Sequence, residues 1–170
     1  MEKTMRFDLD EFIQEARQWI RDQRHTLRPH GDELYPDLRS AFADYFEESI
    51  LREARLCYAP TIPNPSFYAK LEQRGKPIPQ DLDFRRMGGI TFDDTILIVE
   101  GGQSDPEFVP LVFHELVHVV QYKKLGIDEF VTQYLNGWER HNHDYLSIPL
   151  ESEAYRLQRI FERGVKFRVR

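Results

Sequence analysis

The chain has 170 residues, enough for one domain with a real core, and 41% of them are apolar, as in an ordinary globular fold. A formal net charge of −6 and the lack of any basic stripe exclude nucleic acid as the main partner, because phosphate binding draws on clustered cations. A single cysteine, Cys57, excludes an intrachain disulfide and a thiolate cluster, and it reads as a small buried hydrophobe.

Residues 1–20 mix Glu2, Lys3, Arg6, Asp8, Asp10 and Glu11 with their apolar residues, which is unlike a signal peptide. Charges interrupt every apolar stretch before bilayer length, so no membrane partner is expected. Cytoplasm is the expected compartment, with export by a dedicated secretion machine left open.

The first helix is expected over 9–24, where Leu9, Phe12, Ile13, Ala16, Trp19 and Ile20 recur at helical period. After a loop at Arg28-Pro29-His30-Gly31, Pro36-Asp37 opens a second helix reaching about Arg55. Arg55–Ala59 reads as a short strand ended by the prolines between Pro60 and Pro65, and 65–73 as a short helix closed by Gly75. Ile90-Thr91-Phe92 and Thr95–Val99 form two β-rich runs around an Asp93-Asp94 turn. Ser104-Asp105-Pro106-Glu107 carries a helix-start signature for a helix running to Lys124 and stopping at Gly126. Its apolar residues point in nearly every direction, so it is expected to be buried on most sides. Asp128 can cap the next helix, which carries Phe130, Val131, Tyr134, Leu135 and Trp138, and a last helix starts near Pro149. Helices dominate around a small mid-chain β-sheet, an α+β architecture.

In the middle of the apolar helix stands His114-Glu115-Leu116-Val117-His118. Residues four apart share a face one turn apart, so both imidazoles can reach one tetrahedral Zn²⁺ at about 2.0–2.1 Å. Glu115 is rotated by about a quarter turn, beside such an ion, where a carboxylate can accept a proton from water and pass it on. Polar rings in an apolar helix cost free energy unless partnered, and a metal supplies that partner. One zinc per chain is the expectation.

A catalytic zinc usually takes a third protein ligand. The extended His-x-x-Gly-x-x-His continuation fails, because position 121 is Gln and position 124 is Lys. His141, His143, Asp144, Glu151 and Glu153 are the candidates, and periodicity alone does not choose among them. His141 and His143 also suit a helix C-terminus, and Glu151 and Glu153 suit a helix's first turn, whatever else they do.

With these residues the chain resembles the gluzincins, zincin metallopeptidases whose third ligand is a Glu on a later helix. In several of those families that Glu opens a Glu-x-x-Ala-Asp or Glu-x-x-Ala-Asn pattern. Glu151-Ser152-Glu153-Ala154-Tyr155 lines up with it, so the resemblance gives Glu151 the ligand role and makes Glu153 the fallback. The helix is also similar to those of small bacterial zincin-like domains, including ones associated with contractile injection systems. The resemblance covers about 88–161. It implies a single zincin-like domain over 1–170, with 88–164 as the metallopeptidase-like core and 1–87 as a helical part of no assigned role. It further implies a peptide or protein substrate, Glu115 as general base, and Thr95–Val99 as the edge strand that pairs with the substrate backbone. Tyr145, Tyr155, His141 and His143 are the available oxyanion donors. The pattern's Asp is replaced by Tyr155, a phenol that raises the basicity of a histidine ligand less than a carboxylate does. The rival reading is a catalytically weak or inactive zincin-fold binding module that keeps its zinc.

Overall fold

The computed structural model describes residues 8–170. Residues 1–7, part of the stretch read above for a signal peptide, lie outside the described residues. Six helices, α1 (Leu9–Leu27), α2 (Pro36–Phe42), α3 (Glu48–Glu53), α4 (Phe67–Gln73), α5 (Phe108–Arg140) and α6 (Pro149–Glu162), surround a four-stranded sheet. The strands are β1 (Asp32–Glu33), β2 (Arg55–Ala59), β3 (Gly89–Phe92) and β4 (Thr95–Val99), in the spatial order β1-β2-β4-β3. The fold is α+β, and no described helix is long and apolar enough to cross a membrane.

α1 starts at Asp8, whose side chain accepts the Glu11 amide at 3.1 Å, and buries the stripe Phe12, Ile13, Ala16, Trp19 and Ile20. The sheet has helices on both faces. Leu56, Ile96 and Ile98 point into one core with Phe42, Phe46, Phe113 and Leu116. Cys57 and Leu97 point into the other with Phe12, Trp19, Phe92 and Phe130. Alternation of side chains along a strand thus serves two cores at once.

That arrangement overturns the expectation that Thr95–Val99 is an edge strand. β4 pairs with β2 in parallel and with β3 in antiparallel register, Leu97 lying opposite both Cys57 and Ile90. A run without polar alternation is what a strand covered on both faces requires. β3 holds the edge instead. β1 and β2 belong to the first half of the chain, which therefore supplies strands to the sheet as well as helices.

Two boundaries also move. The helix expected over 36–55 is two helices, α2 and α3, separated by a turn over residues 43–47 that buries Tyr45 and Phe46. α5 begins at Phe108, since the Asp105 carboxylate accepts the Glu107 amide at 2.9 Å in a turn that precedes the helix. The stop expected at Gly126 is present: its φ of 74°, a left-handed conformation that favours glycine, divides α5 into two helical stretches. Asp128 does not cap this second stretch: its carboxylate pairs with Arg21 and Arg17 of α1.

Candidate metal centre

α5 and α6 pack side by side, with Phe113 of α5 stacked on Phe161 of α6 at 4.4 Å. This contact sets Glu151, in the first turn of α6, against the histidines of α5. His114, His118 and Glu151 are 4%, 5% and 3% exposed, so the group is buried. Nε2 of His114 lies 3.1 Å from Nε2 of His118 and 3.1 Å from Oε2 of Glu151, and the remaining edge of the triangle is 3.4 Å. Ligands about 2.0–2.1 Å from a tetrahedral zinc stand about 3.3–3.4 Å apart. The three atoms already have that spacing, and they could hold a metal.

Hydrogen bonds on the far sides of the rings aim these atoms. Gln121 donates its amide protons to the Leu150 carbonyl at 3.0 Å and to Glu153 Oε2 at 2.8 Å. Its amide oxygen therefore faces His118 Nδ1, at 2.8 Å, and accepts that ring's proton. Gln158 Oε1 meets Nδ1 of His114 in the same way at 3.1 Å. With both Nδ1 atoms donating, neutral rings would turn both Nε2 lone pairs on each other and on a carboxylate, with no donor among the three until a metal or a proton on His118 supplies the positive charge. Such a triangle calls for a cation. Tyr134 donates to the other oxygen of Glu151 at 2.7 Å, which leaves Oε2 for the imidazoles.

The electrostatics carry the same demand. Burial opposes charging of His118, but the charge and hydrogen bond of Glu151, with Glu115 and Gln121 behind it, outweigh burial and lift the imidazole to about 9. Burial likewise works against ionisation of Glu151, yet the two histidines hold its carboxyl well below the usual carboxylate range. Burial and Glu151 push the Tyr134 and Tyr145 phenols far up, so both stay protonated and able to donate.

Glu115 is buried beside the triangle. Thr91 of β3 donates to its Oε2 at 2.6 Å and to its backbone carbonyl at 3.1 Å, tying the edge strand to α5. The other oxygen, Oε1, lies over Gly89, where a Cβ would come within 2.9 Å of it. Glu115 also stands where two hollows meet. One is an apolar cavity of about 90 Å³, reaching from Glu115, His118 and Glu151 to Trp19, Phe84 and Val131. The other is an open cleft of about 790 Å³ that includes His114, Tyr145 and Tyr155.

Of the residues singled out from sequence, the structure brings together His114, Glu115, His118 and Glu151. Glu153 is near but turned to Gln121. His141 bonds the Gly137 carbonyl, and His143 stacks on Trp138 and reaches Glu139. Asp144 accepts from Leu146 and Ser147 in its own turn. Tyr155 packs its ring on His114 at 4.4 Å, while the acceptor for that histidine comes from Gln158, three residues later. Gln121, Gln158, Tyr134, Thr91 and Gly89 were not picked out as site residues. Only Gly89 left a usable signal, since a glycine in a strand often marks a close approach. Comparisons of the chain with family models, curated proteins and solved structures return no match.

Proposed function

We propose that the chain is a zinc-dependent metallopeptidase of gluzincin type, with a zincin-like fold. His114, His118 and Glu151 are its ligands for one Zn²⁺. The observation that carries the reading is the triangle of three acceptor atoms at ligand spacing, with the Glu115 carboxylate held beside it. Zinc bound there would polarise a scissile carbonyl and make water more acidic.

The rest of the chemistry belongs to the chain. Glu115, fixed by Thr91, takes a proton from the attacking water and delivers it to the departing amine. Tyr145, protonated and facing both hollows, is the donor best sited for a developing oxyanion. β3, the last strand of the sheet, takes the role expected above of β4 and pairs with an extended substrate backbone. The apolar cavity receives one aliphatic side chain of that peptide.

The test is cleavage of a broad peptide library, followed by mass spectrometry, for wild type, wild type with chelator, and Glu115→Gln. Chelator-sensitive cleavage that falls about 10²–10⁴-fold in Glu115→Gln is expected. Cleavage undiminished in that variant would refute the role of Glu115. A zinc-loaded wild type that cuts nothing in the library would favour the inactive binding module.

A further inference from the structure

The open cleft carries a lopsided charge. Seven carboxylates line it against one guanidinium, Arg86. Glu115 belongs to the centre, and Asp83 is neutralised by Arg85 at 2.7 Å and Arg86 at 3.8 Å. The other five, Asp81, Glu100, Asp105, Glu107 and Asp144, are exposed and have no ion-pair partner among the described residues. They come from three separate places: the turn after α4, the connection from β4 to α5, and the turn between α5 and α6. Distant segments thus converge on one hollow with one sign of charge, although like charges repel.

This convergence points to an occupant. The five carboxylates are not a metal site, because among the described residues only His114, His118 and Glu151 bring three ligand atoms within 4.8 Å of one another. They are spread around an opening of about 790 Å³, room for a peptide segment rather than a point charge. Its floor includes His114 and Glu115 of the metal centre, so a chain lying in the cleft reaches the site already described. A cleft lined by one sign of charge between low-dielectric walls raises the local concentration of the opposite charge.

We propose that the cleft selects cationic peptides, segments with Lys or Arg on the residues flanking the one that reaches the centre. The proposal rests on the peptidase reading. Neutral peptides enter without the electrostatic gain, and acidic ones are repelled.

The test measures binding to full-length, zinc-loaded Glu115→Gln protein by fluorescence anisotropy. Three peptides of one length carry Lys, Gln or Glu at the same flanking positions. Exposed ion pairs contribute about 1.4- to fivefold each, so several engaged lysines should give roughly a tenfold advantage over the Gln peptide at ~20 mM salt. Most of that advantage should vanish at ~200 mM salt, where charges are screened. The triple variant Glu100→Gln, Asp105→Asn, Glu107→Gln should remove most of the Lys preference and leave the Gln peptide unchanged. Its Asn keeps the acceptor that Asp105 offers to the Glu107 amide. Equal binding of the Lys and Gln peptides, or a Lys preference that survives in the triple variant, would overturn the proposal. Wild-type cleavage without charge preference would overturn it while the peptidase reading stands. Salt-sensitive Lys preference in a protein that cleaves nothing would support it and count against the peptidase reading instead.

Discussion

Replacing Gly89 with alanine separates the role of Glu115 from that of the fold. The new methyl would sit 2.9 Å from Glu115 Oε1, 3.3 Å from its Cδ and 3.1 Å from Ile98 Cδ1. Nothing in the backbone resists the change, because Gly89 lies in β3 without positive φ. Losing a glycine from the unfolded chain stabilises by about 0.4–1 kcal/mol, whereas crowding Ile98 by a few tenths of an ångström costs about 1–3 kcal/mol. Net destabilisation should therefore be no more than about 2.5 kcal/mol, a melting shift of at most about 10 °C at this size, with the protein still folded. The carboxylate, as the free end of a side chain, must yield by about half an ångström and loosen its 2.6 Å bond to Thr91. Misplacement on the order of 1 Å can cost about 10²-fold in rate, so turnover should fall by roughly ten- to a hundredfold. Zinc content should not change, since Gly89 touches none of the three ligands. Thermal unfolding, metal analysis and initial rates on one preparation measure the three quantities. Full turnover in Gly89→Ala, or zinc lost together with turnover, would refute the placement of Glu115 as the proton carrier.

Glu151→Ala should abolish stoichiometric zinc binding, whereas Glu153→Ala should weaken it only through Gln121. Competition against a zinc-binding dye would show this, and a larger loss at Glu153 would reverse the assignment. Gln121→Leu and Gln158→Leu should each weaken zinc binding by about 10–100-fold by releasing the imidazoles, with Gln158→Glu retaining or exceeding wild-type affinity. In zinc-free protein, His118 binds its proton more tightly when folded, at about 9 against 6.5. Its contribution to stability is complete below pH 6.5 and is lost as pH rises through about 9. Denaturant midpoints should therefore fall across that range without zinc and hold steady with it, and parallel curves would count against the account.

Helical period made α1 and α6 legible from apolar stripes that each pack one face on a core, and the first part of α5 was legible from its unbroken apolar run and its stop at Gly126. The β3–β4 hairpin was legible from a turn and two apolar runs. The parallel pairing of β2 with β4 was not, since it joins segments about 40 residues apart and leaves no local trace. The break between α2 and α3 was hidden for a related reason: residues 36–55 favour helix locally and carry no Gly or Pro after Pro36 to mark the turn over 43–47. At the site, His114 and His118 could be read together because one helix spaces them. Glu151 and Glu153 could not be ranked by period, because the choice depends on which side of α6 meets α5. Gln121 and Gln158 act through a single amide oxygen each, and nothing in sequence separates such a glutamine from a solvated one.

The central claim is that three acceptor atoms from α5 and α6 form a zinc site. Metal analysis of purified, untagged protein by mass spectrometry tests it most directly, with His114→Ala and His118→Ala beside wild type. The account predicts about one zinc per wild-type chain and far less than one in each variant. Stoichiometric zinc in both variants, or a wild type that takes up none when zinc is supplied, would contradict it.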